Sequence, residues 1–196
     1  MLSVALPIPT NIIHHHQRQE VAVAQTNDDD INNNTFKLYE NATYAIHIQY
    51  PFNWTIEEGD AYPDDGYTDI VSFFAPVEND PESELPSLYI SIDSLSSNRN
   101  ENLSEYLTKT INHYYSDSED FKVIESNANS VLGGKPAYKL VFTDVYDDDT
   151  NYKGMDIGTI IGGKVYLLSY EAEDEKQYSE YLPIIQKMID SFKIIS

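Results

Sequence analysis

The stretch "YAIHIQYPFNWTIEEGD", Tyr44 to Asp60, opens as a strand and closes on a corner. Tyr44, Ile46, Ile48 and Tyr50 recur at every second position and share one face, while His47 and Gln49 take the other. Pro51 ends the run, because its nitrogen cannot donate to a strand ladder. Trp54, the chain's only tryptophan, comes just after that corner. From there its ring either folds back over the sheet edge as a hydrophobic plug or faces a ligand. Burying an aromatic ring of this size contributes on the order of 2–3 kcal/mol. We read Trp54 as a founder of the core.

Outward from this corner, "FKLYE" and "YAIHIQY" flank "NAT" and predict a first hairpin. "IVSFFAP" and "SLYISIDSL" predict two more strands, the second with Leu88, Ile90 and Ile92 on one face. Between Trp54 and Ile70 the chain reads as a loop rich in carboxylates: Glu57, Glu58, Asp60, Asp64, Asp65 and Asp69. A helix is predicted to open at Asn102, with Glu105 reaching back to complete a capping box. Leu103, Tyr106, Leu107, Thr110, Ile111 and Tyr114 recur at helical spacing and form its buried stripe. "FKVIES", "AYKLVFTDVY", "YKGMDIGTII" and "KVYLLSYEA" follow as strands, with "LGGKP" and "IGGKV" as tight turns. A last helix carries Tyr178, Tyr181, Leu182, Ile185, Met188, Ile189 and Phe192, and Pro183 predicts a kink or a break in it. Hairpin-linked strands with two amphipathic helices give an α+β fold, an antiparallel sheet flanked by helices.

Charge narrows the function. The 196 residues hold 12 Lys and Arg against 33 Asp and Glu, a formal net charge of -21. Such a surface repels phosphate backbones, which argues against nucleic-acid binding, and attracts cations or a basic protein. The same acid also serves solubility. With no cysteine there is no disulfide framework, thiolate metal site or cysteine nucleophile. No apolar run reaches the ~20 residues that span a bilayer. Residues 1–24 read as a leader, with "AVA" at Ala22 to Ala24 fitting a signal-peptidase site. Sequons at Asn33, Asn41, Asn53 and Asn102 also point outward. Residues 25–35 then form a polar tether, and residues 36–196 the folded domain. The expectation is an exported protein, extracellular or at a membrane surface, with a cytoplasmic location as the alternative.

No hydrolase, zinc-protease or dinucleotide motif occurs, and "GGKP" and "GGKV" lead into strands rather than helix N-termini. Neither His47 nor His113 pairs in sequence with a nucleophile, so no catalytic residue is assigned and no enzyme is expected. "DVYDDDTNYKGMD" is the one chemical candidate. Asp147, Asp149 and Asn151 reproduce the start of a calcium loop, but Tyr152 replaces its turn glycine and Gly158 its bidentate glutamate. Two readings stay open: a weak oxygen-ligand site for calcium, or a solvated hairpin tip.

From Phe36 to Ser196 the chain resembles the PsbP family. Tyr50-Pro51 followed by Trp54, Gly134-Lys135-Pro136-Ala137-Tyr138 leading into a strand, Lys164-Val165-Tyr166 and the closing Ser191-Phe192 carry the resemblance. It implies an antiparallel sheet sandwiched by helices, a fold shared with a Ran-binding nuclear-import factor family. It also implies a non-enzymatic accessory role, as in the extrinsic photosystem II subunit linked to calcium and chloride retention. The acidic segment ahead of Phe36 departs from the basic docking region of that subunit, so the expected role lies outside photosynthesis. The expected partner is a protein, such as a membrane complex. The alternatives are an intracellular domain that recognises a basic protein surface, and an enzyme with an unrecognised site.

Overall fold

The computed structural model describes residues 36–59, 61–62, 66–76, 86–95, 101–145 and 151–195. Its elements run β1 (Phe36–Asn41), β2 (Ile46–Pro51), β3 (Thr55–Glu58), β4 (Ala61–Tyr62), β5 (Tyr67–Phe74), β6 (Ser87–Ser94), α1 (Leu103–Asp117) and β7 (Lys122–Leu132). They continue with β8 (Lys135–Val145), β9 (Asn151–Ile161), β10 (Lys164–Ala172), α2 (Glu175–Ser191) and β11 (Lys193–Ile194). The α+β expectation holds. The strands divide into two sheets: β1-β2-β11 makes a small one, and β3-β5-β6-β10-β9-β8-β7 a large one to which β4 adds through β5.

Hairpins build the large sheet. Gly133-Gly134 and Gly162-Gly163 all sit at positive φ, which the two-residue turns between twisted strands require and side chains resist. The turns join β7 to β8 and β9 to β10 as antiparallel pairs, the second in unbroken register. Extra residues interrupt the ladder in β5 between Asp69 and Val71, and twice in β7, between Val123 and Glu125 and between Asn127 and Ser130.

One face of this sheet meets α2 and the small sheet. Leu88, Ile90 and Ile92 of β6 lie there, as their alternation predicts, with Leu168 and Tyr170 of β10 and Met155 and Ile157 of β9. Ile46, Ile48 and Tyr50 of β2 close the same core from the other side, and Ile185, Met188 and Ile189 of α2 enter it. Trp54 is 6 % exposed and its ring centroid lies 6.2 Å from that of Tyr181 on α2. The ring is core, not platform.

On the opposite face α1 packs on β7 and β8. Its capping box forms as read: Asn102 Oδ1 accepts from the Ser104 and Glu105 amides at 3.0 and 3.1 Å, and Glu105 Oε2 accepts from the Asn102 amide at 3.0 Å. Capping competes with the sequon for the same side chain.

Two expectations are corrected. The segment after Trp54 is not a plain loop, for Thr55–Glu58 pairs with β5 as an edge strand. Its acids there are structural in part, since Glu58 Oε2 accepts from the Tyr39 hydroxyl at 2.9 Å. Pro183 does not divide the last helix, which runs unbroken from Glu175 to Ser191. Pro183 and Ser179, whose carbonyl loses its helical donor, are both exposed, so water can meet that carbonyl while the buried face keeps the helix in place.

Candidate functional site

The face of the large sheet under α1 changes character from one side to the other. Over β7 and β8 it is aromatic, with Phe121, Tyr114 and Phe142 clustered at centroid distances of 5.0 to 5.3 Å. Over β6, the residues that alternate with Leu88, Ile90 and Ile92 are Ser87, Tyr89, Ser91 and Asp93. Register extends this polar surface sideways. Asp69 of β5 lies opposite Ser91, Tyr67 opposite Asp93, and Ser169 of β10 opposite both Tyr89 and Asp156 of β9.

Tyrosines of α1 tie the two halves together. The Tyr106 hydroxyl donates to Asp93 Oδ2 at 3.1 Å and the Tyr114 hydroxyl to Asp156 Oδ2 at 3.0 Å. Ser169 also hydrogen-bonds Asp156, and Tyr67 hydrogen-bonds Ser91 and Asp69. At the far end Asp144 accepts from Ser118 at 2.5 Å and lies 3.4 Å from the Tyr152 hydroxyl.

Asp93 and Asp156 accept from hydroxyls and make no ion pair within 4.0 Å among the described residues. Asp156 is 2 % exposed, and burial pushes its pKa up to about 6 against the opposing hydrogen bonds from Ser169 and Tyr114. Burial also raises Asp93, countered by the Tyr106 hydroxyl and by the charge of Lys109 on α1. Each tyrosine is held well above its usual range by desolvation first and by these carboxylates next. Strongly perturbed acids gathered on one face are a recurring mark of functional surfaces.

Tyr138 completes the border. A Cβ on Gly158 would lie 2.5 Å from the Tyr138 ring, so the glycine is what lets the ring cross from β8 over β9. Its hydroxyl is buried and has no hydrogen-bond partner among the described residues.

The calcium reading falls mostly elsewhere. Asp147 and Asp149 lie outside the described residues, and Asn151 is the exposed first residue of β9, opposite Val145. Among the described residues no three His, Asp or Glu side chains come together as a metal-holding group. His47 Nδ1 is 4.0 Å from Glu40, and His113 Nε2 is 3.1 Å from Asp117, on separate layers of the fold. What the sequence reading missed is the tyrosine–carboxylate border. Its signal was present in β6, where Ser-Tyr-Ser-Asp alternates with three aliphatics.

No curated protein sequence matches the chain. Among solved structures it is similar to the cyanobacterial PsbP (CyanoP) of Synechocystis, with TM-score 0.60 and 15% identity over 86% of this chain and 98% of that one. It is similar also to LpqN of Mycobacterium tuberculosis, a protein involved in cell envelope biogenesis, with TM-score 0.52 and 12% identity over 77% and 83%. The Ran-binding protein Mog1p of Saccharomyces cerevisiae gives TM-score 0.52 and 12% identity over 82% and 96%. At these identities the three structures share a fold with the chain. The family described as PsbP-like protein matches residues 4–194, nearly the whole sequence, and the chain belongs to that family.

Proposed function

We propose that this protein is an exported accessory module that acts by binding rather than catalysis, docking on a basic protein of a membrane complex. The observation that carries this reading is the polar half of the large sheet. There Asp69, Asp93 and Asp156 gather with tyrosine hydroxyls, while α2 and the small sheet cover the opposite face. Asp156 itself is buried, so a partner would meet this face at its half-buried members Asp93 and Ser169, and a net charge of -21 steers basic partners there and discourages nucleic acid. The Ran-binding of Mog1p supports a binding use of this fold, and the cell-envelope role of LpqN supports a setting at the envelope. The leader over residues 1–24 and the sequons support export. Weak calcium binding through Asp147, Asp149 and Asn151 belongs to the same reading, motivated by adjacent carboxylates where β8 turns into β9.

Fractionation of native cells tests the proposal. The expected result is a membrane-associated chain beginning at Gln25 and released by a high-salt wash, because salt screens exposed charge contacts. An uncleaved chain in the cytoplasm would overturn export and favour the intracellular alternative. Membrane association indifferent to salt would overturn docking by charge.

A further inference from the structure

The two Gly-Gly turns stand at the same end of the large sheet. Lys164 pairs with Ile161 across the second turn. On the other side of β9, Tyr138 lies opposite Gly158, and the Thr159 hydroxyl donates to the Pro136 carbonyl at 2.8 Å. Continued to the first turn, that register sets Lys135 opposite Ile161 as well. Lys135 also pairs with Leu132, which enters the core shared with α2, so both lysines lie on that face. Their Cα atoms are two strand spacings, about 10 Å, apart. Lys193 joins them, for a Cβ on Gly133 would lie 3.6 Å from its Cα. All three lysines are exposed, and none makes an ion pair among the described residues, whereas Lys109, Lys139 and Lys153 each reach a glutamate within 4.0 Å. That is unexpected in a chain with 33 acidic side chains against 12 basic ones. Asp93, beside the Ser94 that pairs with Lys164, turns to the opposite face. A Cβ on Gly134, Gly162 or Gly163 would meet nothing within 4 Å, so both tips present bare backbone to open space. Asn or Asp would suit the first position of such a turn at lower entropic cost, and glycine instead lets a surface come close. Val131, 65 % exposed, lies two residues before Gly133, and Ile195, 48 % exposed, two residues after Lys193.

We infer that this end of the molecule rests on anionic phospholipid headgroups, with Lys135, Lys164 and Lys193 meeting the phosphates and Val131 and Ile195 the shallow apolar layer beneath them. An ammonium is a compact point charge on a long apolar stem, which suits a layer of phosphates that has no fixed geometry. Each such lysine raises the affinity for an anionic surface about fivefold. The net charge of -21 opposes any other approach to such a surface, so the contact also fixes orientation. It goes beyond the protein docking proposed above, and it leaves the acids of the α1 face free for a basic partner.

Co-sedimentation of the full chain with vesicles of phosphatidylglycerol and phosphatidylcholine, set against phosphatidylcholine alone, tests the contact. Binding is expected to the anionic vesicles only. Lys135→Gln with Lys164→Gln should weaken it about 25-fold. The melting temperature should hold, because both side chains are exposed. Lys122→Gln with Lys176→Gln removes the same charge from exposed positions at the opposite end of the sheet, where Lys122 pairs with Thr143 and Lys176 follows the Glu175 that holds Lys153. That variant should stay within about threefold of wild type, since salt screens charges that distant. Equal losses in the two double variants would reduce the contact to overall charge and overturn it. Equal binding to phosphatidylcholine alone would overturn it too. Release by inorganic phosphate beyond that by sodium chloride at equal ionic strength would assign the tips to free phosphate and likewise overturn the lipid contact. Failure of wild type to sediment with anionic vesicles overturns it and leaves the basic-partner reading standing.

Discussion

The two faces of the large sheet are built from the same strands, and β6 shows how far they diverge. Its even-numbered residues Leu88, Ile90 and Ile92 enter a core shared with α2 and the small sheet. Its odd-numbered residues Ser87, Tyr89, Ser91 and Asp93 face the other way, on the side of the sheet that holds Asp156 two strands across. Burial on the first face removes apolar surface from water and stabilises the fold. Burial on the second desolvates Asp156, whose hydrogen-bond partners among the described residues include the Tyr114 and Ser169 hydroxyls, and ionising it there costs stability. Groups held at a cost to stability recur at functional faces, and the binding role proposed above would give this one its use.

The largest expected effect belongs to the apolar face. Trp54→Ala empties a site that is only 6 % exposed, and should destabilise by about 3–5 kcal/mol. A denaturant midpoint close to that of wild type would break the contrast between the faces.

Asp156→Asn should act in the opposite direction. Burial raises this carboxyl from 3.8 to about 6 in the folded chain. Between those values the folded chain keeps the proton and the unfolded chain releases it, so the unfolding free energy falls as pH rises through about 6. A shift of this size corresponds to roughly 3 kcal/mol, fully present as stability below the unfolded pKa and lost above the folded one. The variant should therefore show a flatter pH dependence, gaining on wild type between pH ~4 and ~7.5 by up to about 3 kcal/mol. Parallel curves in denaturant titrations at the two pH values would place Asp156 in a solvated setting and remove the cost assigned to this face.

The smallest effect is expected where β8 turns into β9. If Asp147, Asp149 and Asn151 hold calcium, the affinity should be near ~1 mM, since the turn glycine and bidentate glutamate are missing. At tenfold excess over Kd such binding adds roughly 1.4 kcal/mol, seen as a rise in Tm. Asp147→Asn with Asp149→Asn should abolish the rise at matched ionic strength. Equal rises in magnesium and calcium, in both proteins, would reduce it to screening.

How much of this was legible depended on distance along the chain. The capping box of α1 spans Asn102 to Glu105, and the Gly-Gly hairpins join neighbours in sequence, so short-range chemistry specified them. The β3 strand was hidden because Thr55–Glu58 is short and half acidic, and its partner β5 supplies what its composition lacks. Pro183 misled because the cost of a proline depends on whether its freed carbonyl meets water, which periodicity alone does not reveal. The border network was the least legible part. Asp156 sits in "YKGMDIGTII", a stretch that reads as apolar, and β9 meets β10, which in turn meets β6 from more than sixty positions earlier in the register of Tyr166 with Ile92. That long-range pairing is what brings Asp93 and Asp156 to one face. The sequence pointed instead to Asp147–Asn151, where carboxylates are neighbours in the chain.

The paired interruptions of β7 bear on how the molecule survives at high concentration. β7 borders the large sheet along 11 residues, and Ile124 and Val131 stand 54 % and 65 % exposed on it. A border of that length with exposed aliphatics is a template on which another chain can add as a strand and seed fibrils. Ile124 is the extra residue of the first interruption, and Ala128 and Asn129 lie within the second. Each bends the strand and breaks the even spacing of its outward amides and carbonyls. An incoming strand finds only short runs in register, too few to hold it, so the edge is long enough to carry α1 yet a poor nucleus for aggregation.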